Sequence, residues 1–422
     1  MRGFVGNVER SGPWPLLLLH TISIDSGRRV NKRVNNWVEI SGSRLAENFG
    51  AVRAAIGADA EAVAVIKADA YGHGALICAP ILTQSGARWL GVTDAEEGAA
   101  VRRELAEDAT RLMVMSGMQL SDAGSLIANG LTPVVWTAEH VSAMECAARA
   151  AGQRVPVHVE IDTGMARQGA AVGKDLQRVL KSLAASRWVS CEGVMTHLCC
   201  SEVSGAMATA LAQQRFADAL TAVAAAGLQP DFVHLGNTSA VDEGSTSPWV
   251  RDKARTVGAR AMARTGLALY GHCLPLTPAT GESATRPAQL CPNLKPVMTW
   301  KANVLDVREV EAGTTVGYGA TFVAKHRMRL ALIPVGYADG FRREASSGVG
   351  DGWVMLKGQR AAVVGRVSMN LMVVDITAIE GVAQGTETVL LGEGISAEDH
   401  ARWAKTIPYE ILCGIRSSRV LR

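Results

Sequence analysis

Short apolar runs alternate with longer alanine-rich stretches from Ala62 to about Leu269, and this alternation narrows the possible folds more than any other feature of the chain. The runs are AVAVIK (62–67), RWLGVT (88–93), RLMVMS (111–116), TPVVW (132–136), VPVHVEI (155–161), SCEGVMTH (190–197), PDFVHL (230–235) and a last one within 259–269. Between them, SGAMATALAQQRFADALTAVAAAG (204–227) spaces its apolar residues as an amphipathic helix does. Strand–helix alternation implies parallel strands, and eight runs suit a (β/α)8 barrel better than an open sheet. The fold class expected is therefore α/β, a (β/α)8 barrel over 36–275.

After Tyr270 the texture changes. LPLTPATGESATRPAQLCPNLKP (274–296) reads as a linker or long loop, and from Val297 the runs are β-like with glycine-rich turns. A mostly β C-terminal domain is expected over 276–422, with little helix before about Ala397. NNWVEISGS (35–43) reads as a strand that could join that β domain. Residues 1–35 read as a poorly ordered extension. The apolar run Trp14–Leu19 is too short to span a bilayer and has no small-residue cleavage pattern behind it, so the expected location is cytoplasmic.

The composition supports this outline. Apolar residues make up 48% and charged residues 20%, enough for a large core and unlike a disordered chain. The net charge of +3, with no basic tract, argues against a nucleic-acid partner. None of the eight cysteines forms a C-x-x-C pair, and they read as small buried hydrophobes in a reducing compartment. Cys199 and Cys200 follow His197, but adjacent cysteines ligate one ion poorly, so no metal is expected.

In a (β/α)8 barrel the site lies at the C-terminal strand ends. Lys67 ends the first run, Arg167 lies in the loop after the fifth, His197 ends the sixth, and Thr238 follows the seventh. An amine, a guanidinium, an imidazole and a hydroxyl thus converge on one mouth. A lone lysine there reads equally well as a snorkelling or salt-bridged side chain beside Asp69. Desolvation, however, favours the neutral amine that condenses with aldehydes. The following AYGHG, with Thr238 and the turn at Gly266, would suit a phosphate. Taken singly, His197 reads as a core imidazole, Arg264 as an exposed helix arginine, and Tyr318, Tyr337 and Tyr409 as ordinary turn or half-buried aromatics.

Taken jointly, these segments resemble the alanine racemases. VIKADAYGHG is similar to the cofactor-lysine motif of that family. It is followed in the family's order by EIDTGMARQG, GVMTHL, HLGNTSA, ARTGLALYG, VGYGATF, PVGYADG, VGRVSMN and YEILCGIRSSRV. The likeness runs from about Trp37 to Arg422. It implies pyridoxal 5'-phosphate as cofactor, alanine as substrate, and D-alanine supplied for peptidoglycan. Lys67 would link to the cofactor and act as acid and base on one substrate face, with Tyr318 on the other. Arg264 would face the pyridine nitrogen, with His197 behind it. Tyr71, Thr238, Gly266, Leu267 and Tyr409 would hold the phosphate. Arg167 and the Met369 backbone would bind the substrate carboxylate, and Tyr337 would line the entrance. In this family Tyr318 and Met369 serve the partner's site, so a homodimer with shared active sites is implied.

Two positions depart from the resemblance. Many members carry a carbamylated lysine where this chain has Glu160, so Glu160 is expected to supply that negative charge by pairing with Arg167. Asn370 stands where an aspartate is common, which opens a broader serine/alanine specificity. A D-threonine-aldolase-like lyase is the remaining alternative, and it leaves Tyr318 without a role.

Overall fold

Each apolar run becomes a strand in the computed structural model, which describes residues 35–422 apart from 107 and 280–287. The expected N-terminal extension up to residue 34 and part of the expected linker lie outside the described residues. After β1 (Asn36–Ile40) come β2 (Ala60–Val65), β3 (Trp89–Val92), β4 (Arg111–Val114), β5 (Leu131–Val135), β6 (Val155–Asp162), β7 (Val189–Met195), β8 (Phe232–Gly236) and β9 (Arg260–Thr265). Strands β2 to β9 pair in chain order, all parallel, and β9 returns to β2 through Ala261↔Ala60 to Thr265↔Ala64. The result is a closed eight-stranded barrel. Its strands are buried on both faces because one side meets the barrel interior and the other the surrounding helices.

Local chemistry starts those helices where the strands stop. Asp94 accepts the Glu97 N–H at 2.9 Å at the head of Ala95–Leu105, and Thr137 accepts that of His140 at 3.1 Å at the head of Ala138–Ala151. The helix expected over 204–227 spans Met207–Ala225.

The β region contains β10 (Met298–Asn303), β11 (Asp306–Val310), β12 (Met328–Ile333), β13 (Trp353–Leu356), β14 (Gln359–Ala362), β15 (Met372–Asp375), β16 (Glu387–Leu391) and β17 (Arg419–Leu421). Six strands form one sheet in the order β14–β13–β16–β10–β1–β17, and β11–β12–β15 form another. β1 precedes the barrel in sequence yet lies in the β-region sheet, antiparallel to β10 and parallel to β17. Alternation along β10 turns Met298, Trp300 and Ala302 inward. Trp300 is fully buried, and its Nε1–H donates to Ser417 Oγ at 2.9 Å.

The cysteines depart from expectation. Cys78, Cys191 and Cys273 are buried, but Cys146, Cys199, Cys291 and Cys413 are exposed, and all the described cysteines are free thiols. A thiol has little polarity, and outer helix faces and loops tolerate it as they tolerate alanine.

The β region returns to the barrel mouth through the helix Pro408–Gly414. Gly72, after β2, has φ +81°, and a Cβ there would lie 2.3 Å from the Leu412 carbonyl oxygen. Arg419 Nε donates to the Gly72 carbonyl at 2.6 Å across the same seam. Gly72→Ala is expected to cost about 2 kcal/mol or more, combining left-handed strain with overpacking. The check is a lower denaturant midpoint with an unchanged m-value.

Candidate active site

A cavity of about 560 Å³ opens at the C-terminal mouth of the barrel. Lys67, Glu160, Arg167, His197 and Arg264 line it, and so do Tyr71, Thr238, Gly266, Leu267 and Tyr409. Tyr409 arrives on the helix Pro408–Gly414, so barrel and β region build the wall together.

Lys67 is not the last strand residue. β2 ends at Val65, and Lys67 opens a turn in which Ala68, Asp69, Ala70 and Tyr71 all have φ near +54°. Four consecutive left-handed residues, none of them glycine, cost roughly 1–2 kcal/mol each. The surroundings hold them there. Ala68 N–H donates to Thr93 Oγ1 at 3.3 Å, Asp69 N–H to Glu97 Oε1 at 2.9 Å, and the Asp69 carboxylate accepts Ala75 N–H at 2.8 Å. Strain of this kind is characteristic of functional sites. Here it brings both Lys67 and Tyr71 to the cavity wall.

Burial holds the Lys67 ammonium below the ordinary lysine range, and the Arg167 and Arg264 charges add to the effect. Arg264 lies on β9, fully within the barrel and 2% exposed, rather than on an exposed helix. Burial brings its guanidinium down to about 10, so it stays protonated at neutral pH. Its Nη2 donates to the Thr196 carbonyl at 2.8 Å and lies 3.1 Å from His197 Nδ1, while Nη1 lies 3.0 Å from His234 Nδ1. Burial, then the charges of Arg264, Arg167 and Lys67, hold His197 down at about 3, a neutral imidazole.

Glu160 does not pair with Arg167 as expected. Its Oε2 accepts from Gln168 Nε2, which also donates to the Met115 carbonyl at 3.0 Å. The loop explains the change of partner. Asp162 Oδ1 accepts the N–H groups of Gly164, Met165 and Ala166, and Ala166 takes a left-handed φ of 55°. The chain then runs back so that Ala170 pairs beside Ile161, which sets residue 168 against Glu160. Burial raises the Glu160 carboxyl above the ordinary range, opposed by Gln168 and the neighbouring cations.

The opposite wall is rich in donors. Thr238 Oγ1 accepts Gly266 N–H at 3.3 Å and Ala268 N–H at 3.4 Å. A Cβ on Gly266 would lie 2.2 Å from Tyr71 Oη, so glycine is required for that hydroxyl to reach the wall. The Tyr71 and Tyr409 rings sit 5.7 Å apart. Burial raises both phenols, Tyr409 to about 12, so each keeps its proton as a donor. Arg264 Nε is buried without a hydrogen-bond partner. A half-buried amine, a group of hydroxyl and amide donors, and one orphaned guanidinium N–H fit a phosphorylated pyridine aldehyde. The amine suits the aldehyde, the donors the phosphate, and the orphan N–H the ring nitrogen.

Tyr318, Tyr337, Met369 and Asn370 do not line this cavity. Tyr318 is 70% exposed, and Tyr337 and Met369 are exposed as well. Tyr337 and Met369 lie on adjoining loops, where Tyr337 N–H donates to the Ser368 carbonyl at 3.1 Å and Ala338 N–H to that of Met369 at 2.9 Å. Asn370 Nδ2 donates to Asp339 Oδ2 at 3.3 Å, so a carboxylate remains beside Asn370. Gln168 and Cys413 also line the cavity, and His234 stands behind Arg264. Sequence reasoning missed all three, and only the glutamine inside ARQG offered a signal.

Comparison with known proteins agrees with this geometry. Residues 40–273 match the family described as alanine racemase, N-terminal domain, and residues 297–422 match alanine racemase, C-terminal domain. The chain is similar to the alanine racemase of Syntrophobacter fumaroxidans, 32% identical over 91% of this chain and 96% of that protein. Its likeness to the alanine racemase of Symbiobacterium thermophilum is 34% identity over 92% and 96%. The crystal structure of the alanine racemase from Streptomyces coelicolor superposes with a TM-score of 0.82 at 30% identity, covering 92% of this chain and 98% of that one.

The depressed Lys67 ammonium has a consequence for stability. Between its folded value and the ordinary lysine value the unfolded chain binds more protons than the folded one, so stability rises with pH through that window. In cofactor-free protein, Lys67→Met is therefore expected to be the more stable at neutral pH. Its advantage should shrink as pH climbs toward the ordinary lysine range, and thermal melts of both proteins across pH check this.

Proposed function

Because the chain belongs to the alanine racemase family of pyridoxal-phosphate-dependent racemases, we propose that it interconverts L-alanine and D-alanine by proton transfer on opposite faces of the substrate. The observation that carries this reading is the cavity itself. A lysine amine held below its ordinary range by burial shares a small space with two guanidinium groups and a set of hydroxyl and amide donors.

When bound, pyridoxal phosphate supplies an aldehyde that links to amino groups and a ring that delocalises the electron pair left at Cα. Lys67 then takes or returns the Cα proton on one face. Racemisation needs a second group on the other face, since a single base cannot reach both sides of a planar carbon. Tyr318 from a second copy of the chain fills that role, and its 70% exposure outside its own cavity favours this assignment. Arg167 and the Met369 N–H of the second copy hold the substrate carboxylate, and Tyr337 borders the entrance. Arg264 gives up its proton with difficulty, so its unpartnered Nε–H would donate to the ring nitrogen without protonating it. That restrains side reactions such as transamination.

Asp339 keeps a carboxylate beside Asn370, which favours alanine over a relaxed serine/alanine preference. An aldolase-like lyase would leave Tyr318 idle. Supply of D-alanine for peptidoglycan in the cytoplasm is the role this activity suits. Among the described residues no helix is long and apolar enough to cross a membrane.

Two measurements test the proposal. Tyr318→Phe, assayed in deuterated water, is expected to lose α-proton exchange from one alanine enantiomer by about a hundredfold or more while partly retaining it from the other. Equal loss from both would contradict the two-face assignment. Lys67→Ala and Tyr318→Phe proteins, each inactive, should regain up to about a quarter of wild-type racemisation when unfolded together and reassociated, because mixed dimers hold one intact site. No recovery would remove the shared-site reading.

A further inference from the structure

A line of polar side chains crosses the barrel interior from the cavity to the opposite mouth. Arg264 Nη1 lies 3.0 Å from His234 Nδ1, His234 Nε2 lies 2.8 Å from His158 Nδ1, and His158 Nε2 lies 3.3 Å from Glu192 Oε2. Arg111 closes the line by donating to both Glu192 oxygens, with Nη2–Oε2 at 2.8 Å. Both imidazoles are fully buried and are held neutral by that burial. A buried neutral imidazole has one donor and one acceptor nitrogen, so each contact along the line fixes the next.

The backbone is shaped to make this line. β6 and β7 slip register between Val157 and His158, leaving Glu192 as an extra residue between Cys191 and Gly193. A bulge of this kind re-aims a side chain. Gly193 gives the ring room, since a Cβ there would lie 2.2 Å from His158 Nδ1. β8 slips in turn between His234 and Gly236.

We propose that Glu192, on the far side of the barrel, is a positioning residue that fixes the tautomers of His158 and His234 and through them holds Arg264 in place. A carboxylate only accepts, so His158 carries its proton on Nε2 and accepts on Nδ1. His234 must then donate from Nε2 and accept from Arg264 on Nδ1. With Nη1 bonded to His234 and Nη2 to Thr196 and His197, the guanidinium plane is fixed, and Nε is the nitrogen left without a partner. His197 likewise accepts on Nδ1 and keeps its proton on Nε2. Reversing the line at Glu192 would turn a His234 N–H against an Arg264 N–H, two buried donors face to face.

The importance of this line for catalysis rests on the function proposed above, but its polarity can be read without any turnover. In protein labelled with 15N-histidine, His158 and His234 are expected as neutral Nε2–H tautomers. A proton on Nδ1 of either in the wild-type protein would overturn the proposal. Glu192→Gln keeps the size but gives the side chain one acceptor to share between Arg111 and His158. Its amide N–H then faces His158 Nε2, the tautomers of His158 and His234 flip, and kcat falls about tenfold with KM for alanine little changed, since Arg167 is untouched. The double variant Glu192→Gln/Arg111→Met frees the amide oxygen for His158. It is expected to restore the wild-type tautomers and most of the lost kcat, although Arg111 also donates to Thr132 Oγ1 at 2.9 Å and its loss adds a stability cost. A purely structural role predicts the opposite, a double variant worse than the single one with tautomers unchanged throughout. If the tautomers respond as stated in a protein that does not racemise alanine, the polar line stands and the functional reading falls.

Discussion

Three cations share one small mouth with a single buried carboxylate, and most of the site's behaviour follows from that imbalance. Lys67, Arg167 and Arg264 surround the cavity, and Glu160 alone offsets them from within. Repulsion and burial act together on the group best able to respond. An arginine resists giving up its proton, whereas a lysine yields readily. Burial lowers both Lys67 and Arg264, and Arg264, at about 10, stays protonated at neutral pH. Glu160 is bonded to Gln168 rather than to Arg167.

The scaffold bears a cost at the same site. Four left-handed residues directly after Lys67 are tolerated only because Thr93, Glu97 and Ala75 bond to the strained segment. Arg419 and the helix Pro408–Gly414 press on it from the β region. The same helix carries Tyr409 into the cavity. Fold stability and site geometry are thus coupled at Gly72, a residue that does not itself line the cavity.

Much of this was legible in the amino-acid sequence, for identifiable reasons. Parallel strands buried on both faces leave unbroken apolar runs, and the polar residues that end them mark the mouth. Lys67, His197 and Thr238 could be placed on that basis alone. Arg264 could not, because ARTG carries no sign that its arginine lies inside a barrel rather than on a helix. The left-handed turn was equally hidden, since ADAY lacks the glycines that usually announce positive φ. The Glu160–Gln168 contact depends on how a loop turns back, and Glu192 faces inward only because of a bulge. Register slips leave no periodic trace.

The placement of β1 beside β17 has a bearing on how the protein comes into being. Val38 waits for Arg419, a partner made at the far end of the stretch described here. During vectorial synthesis consecutive barrel strands can meet within tens of residues and the barrel closes once β9 reaches β2, while the six-stranded sheet stays incomplete until β17 emerges. A sheet whose closure depends on so distant a pairing assembles slowly, and for that interval β1 offers an unsatisfied edge to any passing chain.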